Sequence, residues 1–235
     1  MRKSRAAGLV LLATATLAQQ QQTVEITAEP SHHLVLQNEY VRVFDVTVAP
    51  KATTLIHRHN YDYLFVTLGD SDVVSIRPGE KPVALQLKDA EVRFTPGHFA
   101  HAAINNADRP FHNITIELLK PSTNVKTCTE NCNAFICDGI CPIKYKLVSS
   151  DQWTVWTVTM PPKSEFGQLP QAPQLIVPVS NLEFGVQPGS AESPIKRAPG
   201  QIDWLSTAPM HRLINNGAAA AHFVVLEFHP EVTKP

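Results

Sequence analysis

The chain has 235 residues, 43% of them hydrophobic and 17% charged, with a formal net charge of −1. That is enough apolar material for one large domain or two of about a hundred residues each, and it argues against disorder. No block of Lys and Arg offers a footprint for a phosphate backbone, so nucleic acid is not expected as a partner.

The first residues read as an export signal. Arg2, Lys3 and Arg5 make a basic start, and Ala6 to Ala18 form a short apolar run that ends in small residues. The run is too short to span a bilayer, and the polar stretch Gln19 to Gln22 follows it. A membrane-anchoring or core helix is the competing reading. Cleavage near Ala18 removes residues 1–18, with three positive charges and no acid, and shifts the net charge from −1 to −4. The mature protein is then periplasmic or secreted, with residues 19–34 as a flexible N-terminus.

Beyond that point the chain reads as all-β. Nineteen prolines break it up. Short runs of Val, Ile, Thr, Phe and Tyr alternate with polar residues at Val41–Val48, Tyr63–Leu68, Val83–Leu87 and Asn113–Leu118. Many short strands at regular spacing predict a sandwich or barrel.

An internal repeat sets the organisation. Val43 to Lys51 matches Val155 to Lys163 without a gap, 112 residues later, and His101 to Asn106 matches His211 to Asn216 at an offset of 110. The second offset also pairs Phe94 with Trp204, His112 with His222, and Glu117 with Glu227. Between the copies, residues 121–146 carry all four cysteines, Cys128, Cys132, Cys137 and Cys141, as linker or insert. In an oxidising compartment they close into two disulfides. Four cysteines allow three pairings, which sequence does not decide; the nested one, Cys128 with Cys141 and Cys132 with Cys137, is favoured as a small stapled hairpin, while a four-cysteine zinc knuckle is the metal alternative.

Chemistry concentrates in the first copy. His57-Arg58-His59 puts two imidazoles on one face of a strand, Asp62 follows after a short gap, and His101 lies behind Pro96-Gly97, with Asn105 after it. Three imidazoles and a carboxylate suit Mn, Fe, Co, Ni, Cu or Zn, and suit Ca or Mg poorly. Tyr63 could reach such an ion or donate beside it, although an aromatic strand residue is more often core.

These residues resemble the two motifs of the cupin superfamily, G-x5-H-x-H-x3,4-E-x6-G and G-x5-P-x-G-x2-H-x3-N. Counted back from Gly69, the motif glutamate falls on Asp62, with the gap before it one residue shorter. Lys51, Ala90 and His98 stand where the motifs have glycine. The resemblance implies two double-stranded β-helix (jelly-roll) barrels in tandem, a bicupin, over residues 35–120 and 147–235. In the second copy, gapless alignment sets Leu169, Gln171 and Gln174 against His57, His59 and Asp62 and leaves only His211. One imidazole cannot hold a transition metal, so that barrel reads as degenerate and metal-free.

The expectation is one divalent transition metal per chain on His57, His59, His101 and Asp62. The resemblance implies a small-molecule metalloenzyme, an oxygenase or isomerase. Asp62 is its base if the ion does not hold it, with Tyr63 beside it, and Phe44, Phe65, Phe94 and Phe99 are candidate pocket walls. A non-enzymatic ligand-binding or storage protein is the alternative. His98 reads as a rim residue, and His112 and His222 as structural. His32, His33 and His229 carry no pattern. Sheet faces of such barrels often pair, so a homodimer stays open.

Overall fold

The alternation in the sequence becomes strand wherever it was read. In a computed structural model, residues 22–129, 142–166, 172–185, 195–206 and 213–229 are described. The first half contributes β1 (Val24–Glu25), β2 (His32–Gln37), β3 (Val41–Val48), β4 (His57–His59) and β5 (Tyr63–Thr67). It continues with β6 (Ser71–Ile76), β7 (Val83–Leu87), β8 (Val92–Thr95), β9 (Phe99–Asn105) and β10 (Phe111–Leu118). The second half contributes β11 (Lys126–Thr127), β12 (Ile143–Ser149), β13 (Trp153–Met160), β14 (Glu165–Phe166) and β15 (Gln174–Pro178). β16 (Leu182–Gly185), β17 (Ile195–Arg197), β18 (Asp203–Leu205), β19 (Leu213–Asn215) and β20 (Ala221–Phe228) complete it.

Each half is a pair of facing sheets. In the first, β1-β4-β9-β6-β7 faces β2-β3-β10-β5-β8; in the second, β11-β12-β13-β20-β15-β18 faces β14-β19-β16-β17. Strand β10 lies antiparallel between β3 and β5, and β20 lies the same way between β13 and β15. The protein is therefore all-β, two cupin-type barrels in tandem.

Successive side chains on a strand point to opposite faces, and β3 and β10 bury apolar residues on both. Phe44, Val46, Val48 and Phe111 pack inside the first barrel with Ile26, Val73 and Leu87. Val41, Val43, Leu64, Val66, Ile114, Ile116 and Leu118 point the other way, against Val148, Trp153, Val155, Leu175, Val177, Val224, Leu226 and Phe228 of the second barrel. The two larger sheets thus bury their outer faces on each other, and each such Val, Leu, Ile or Phe contributes about 1.5–3 kcal/mol of transfer free energy. Tyr40 adds ring contacts to Trp204 and Phe228 at 5.6 and 5.0 Å.

The repeat persists in the turns. Asn105 Nδ2 donates to the carbonyls of Val48, Ala49 and Arg109, and Asn215 Nδ2 donates to those of Met160, Pro161 and Ala219. Lys51 and Lys163, each with φ near +60° (59° and 62°), reach the carbonyls of Asn106 and Asn216. Lys51, Ala90 (φ 62°) and His98 (φ 63°), the three residues that replace motif glycines, all keep the left-handed backbone that glycine adopts most easily.

The N-terminal stretch needs correction. Residues 24–34, expected to be flexible, form β1, a 3-10 turn at Ile26–Ala28 and the start of β2, with Ile26 fully buried. Residues 1–21, Cys132, Cys137, Cys141, Leu169, Gln171 and His211 lie outside the described residues, and with them the signal segment and the cysteine pairing.

Candidate metal centre

The centre begins with a three-residue strand. β4 is buried at His57, exposed at Arg58 and buried at His59, so both imidazoles turn inward. β9 runs antiparallel beside it with His101 directly opposite His57. Cross-strand pairing thereby closes the forty-residue gap between the two motifs. One nitrogen from each of the three rings lies within 4.8 Å of the others.

The outer nitrogen of each ring has its own neighbour. His57 Nδ1 donates to the Leu55 carbonyl at 3.0 Å, and His101 Nδ1 sits 2.9 Å from Ser75 Oγ. His59 Nδ1 faces Glu117 Oε1 at 3.8 Å, beyond hydrogen-bond reach, and neither atom has a hydrogen-bond partner in the protein. The inner nitrogens converge: His59 Nε2 and His101 Nε2 are 3.3 Å apart, and His57 Nε2 is buried without a partner. Three imidazole nitrogens converging in a buried site, one of them without a partner, make a donor set that fits a cation.

Burial keeps all three rings neutral. Burial, followed by the nearby His32, pulls the His57 pKa down to about 4. Burial and then His57 take His101 to about 3. Burial and the adjoining His101 hold His59 far below the usual imidazole range. At neutral pH no proton competes for the lone pairs.

The structure separates the expected carboxylate from the histidines. Asp62 Oδ1 accepts the Gly97 N–H at 2.8 Å and its backbone carbonyl accepts from Leu118, so it ties the loop before β5 to the second motif and lies outside the nitrogen cluster. Gly97 is required there, because a Cβ would meet the Tyr61 carbonyl oxygen at 2.2 Å. The next residue faces inward instead. The Tyr63 ring stacks on His59 with centroids 4.1 Å apart, and burial pushes its phenol up to about 12, so the hydroxyl stays protonated. His98 donates its backbone N–H to the His59 carbonyl at 2.7 Å and steadies the end of β4.

Two acids and one imidazole were not singled out from sequence. Glu117, fully buried on β10, is paired with Arg42 at 2.6 Å and is raised in pKa chiefly by burial. Its sequence signal is an acid inside an apolar strand. His32 lines the cavity with its ring 4.5 Å from His57, and its Nδ1 is 2.6 Å from the buried Glu29 carboxylate. Nothing local ties His32 to the site, because its contact with His57 spans twenty-five residues of chain.

The histidines open into a cavity of about 400 Å³. Phe65, Phe94 and Phe99 line it; Phe44 does not, lying in the core behind with Ile26. Among the described residues Arg77, Lys81 and Arg93 also line it, with Glu80 as the one acid, and Arg93 is paired with Glu91 at 2.6 Å. The Arg77 guanidinium lies 3.7 Å from the Phe99 ring centroid. The cavity is thus apolar in its body and cationic in its charged lining.

In the second barrel the strand register departs from gapless alignment. Gln174 pairs with Glu227 as Tyr63 pairs with Glu117, so Gln174 occupies the Tyr63 position and not that of Asp62.

No protein-family model and no curated protein sequence matches the chain. Solved structures do. AerE from Microcystis aeruginosa superposes with a TM-score of 0.58 at 10% identity, over 86% of this chain and 99% of that one. A cupin 2 conserved barrel domain protein from Leptotrichia buccalis gives 0.55 at 6%, over 84% and 88%. Salicylate 1,2-dioxygenase from Pseudoaminobacter salicylatoxidans, as its gentisate adduct, gives 0.56 at 12%, over 82% and 70%. At these identities the likeness establishes the fold, that of the tandem cupin barrels.

Proposed function

We propose that the first barrel holds one mononuclear transition-metal ion on His57, His59 and His101 and acts on a small organic acid as an oxygenase-like metalloenzyme. The observation that carries this is the paired use of each ring, with the outer nitrogen turned to a protein group and the inner nitrogens of all three convergent in a buried site. A metal with only three protein ligands supplies a Lewis acid with open positions. Neutral imidazoles favour Mn, Fe, Co, Ni, Cu or Zn.

The chain's own residues supply the rest. Arg77, Lys81 and Arg93 favour an anion, and the phenylalanine walls favour an apolar or aromatic body over a sugar. Protonated Tyr63 is a hydrogen-bond donor beside His59, and Asp62, engaged by Gly97, holds the loop rather than a proton in transit. Residues 1–18 as a cleaved signal and the clustered cysteines as two disulfides support a place outside the cytoplasm, with the second barrel metal-free.

Metal analysis of the purified protein tests the centre, with about one equivalent per chain expected. Oxygen uptake with aromatic and aliphatic acids, against their carboxamides and against sugars, tests the chemistry. A metal-dependent binding protein is the second reading, favoured by the scarcity of acids in the cavity lining, where only Glu80 could serve as a base. Acids that bind the loaded protein without oxygen uptake or isomerisation decide for it.

A further inference from the structure

A short segment ahead of the first long strands is tied to the histidine strand along its whole length. β1 pairs parallel with β4, with Val24 opposite His57, and the Val24 N–H donates to the Ile56 carbonyl at 2.9 Å. Glu25 accepts from Asn60 Nδ2 at 2.6 Å. The densest tie is Glu29, whose side chain is 2% exposed. Its Oε1 accepts the Leu55 N–H at 3.2 Å, and its Oε2 accepts the Ser31 N–H at 2.8 Å and meets His32 Nδ1 at 2.6 Å.

Leu55 is the link to the metal centre. The residue whose N–H is held by Glu29 turns its carbonyl to His57 Nδ1. His32, held by the other carboxylate oxygen, braces the His57 ring from a centroid distance of 4.5 Å, while His101 lies at 4.6 Å. A buried carboxylate is costly, and an apolar residue often serves stability as well. What a carboxylate adds here is direction, since it fixes a backbone N–H and an imidazole at once.

We propose that Glu29 is a positioning residue for His57. Through Leu55 it sets the tautomer and aim of the imidazole, and through His32 it braces the ring, which makes residues 24–32 part of the metal centre. The inference rests on the metal reading above. Its consequence is that removing one carboxylate that touches neither metal nor substrate weakens the metal site.

The test uses the full chain and two readouts: Zn affinity by chelator competition, and the side-chain ¹⁵N–¹H spectrum of the histidines in metal-free protein. Wild type is expected to show His57 as a single Nδ1–H tautomer. Glu29→Gln replaces one of the two accepting oxygens with an N–H donor, and no placing of the amide then accepts from Leu55, Ser31 and His32 together. Affinity should therefore fall about tenfold or more, and the single tautomer should be lost. His32→Phe spares the Leu55 link and should cost affinity about threefold or less. If Glu29→Gln does not fold, Glu29→Asp, which keeps the charge but retracts from Leu55, is read by the same measurements. Unchanged Zn affinity, or lost affinity with the His57 tautomer intact, overturns the proposal. Should wild type take up no Zn, the metal reading falls, while the metal-free spectrum still decides whether Glu29 sets the ring.

Discussion

On the inward face of the central strand, the first barrel has Asn113, Thr115 and Glu117, and the second has Phe223, Val225 and Glu227, in the same register between the same two neighbours. Asn113 and Thr115 line the cavity. Phe223 and Val225 instead belong to a core cluster with Val158, Met160, Ile176 and Leu213. Alternate residues of equivalent strands thus line a cavity in one barrel and fill a core cluster in the other. The outward faces stay apolar in both, and the Asn105 and Asn215 staples are shared. Fold and chemistry occupy opposite faces of the same strand, and one can be lost without the other.

The comparison breaks most easily at the histidines. His59→Ala should lower metal affinity about a hundredfold or more, while His211→Ala leaves stoichiometry unchanged, as read by elemental analysis after dialysis. If His211→Ala strips the ion, the centre is not confined to one barrel.

Packing comes next. Phe223→Ala should cost about 3–5 kcal/mol in denaturant unfolding, because it opens a cavity in a buried cluster. Asn113→Ala, at the equivalent position, gives up a side-chain bond with Thr115 and should cost about 1 kcal/mol. Equal losses would mean that the two interiors are not packed differently.

A pH series sharpens the contrast further. His57 and His101 have folded pKa values of about 4 and about 3, below the imidazole value of 6.5. The unfolded chain therefore binds more protons than the folded one between those values. Metal-free protein should be fully stabilised by these groups above pH 6.5, and should lose that contribution as pH falls towards 4 and 3. His57→Phe should flatten part of the dependence in thermal melts, and an unchanged profile would sink this account.

The smallest effect concerns a single turn. Ala90 and Gly200, equivalent by the repeat, both have positive φ, 62° and 80°. Ala90→Gly should stabilise by about 0.5–1 kcal/mol, since an alanine there bears a left-handed penalty. Gly200→Ala should destabilise by about 1–2 kcal/mol from that penalty, and its Cβ would also crowd Leu68 at 2.9 Å. Opposite signs in differential scanning calorimetry are the expected result.

Much of this was legible in the chain itself. The repeat gives two barrels because matching runs of alternating residues fold into matching strands. The pair His57 and His59 gives one face of one strand, and the motif spacing brings in His101. The direction of the carboxylate was not legible, because counting back from Gly69 fixes a distance along the chain and not a side of the pleat: Asp62 turns to Gly97 and Tyr63 turns to His59. Glu117 was visible as an acid in an apolar strand, duplicated at Glu227, but its nearness to His59 depends on barrel closure. Glu29 and His32 had no pattern to betray them, because their role arises from a parallel strand contact between segments far apart in sequence.

The sandwich between the barrels bears on what duplication has left free to change. Val224, Leu226 and Phe228 cover the back of the strands that carry Tyr63 and Glu117, from the far side of the same interface. A chain cut at residue 120 would lay Val43, Val66, Ile114 and Ile116 open to water as a flat adhesive surface. The second barrel thus serves as a lining for the first, through the alternate residues Val224, Leu226 and Phe228 of its central strand.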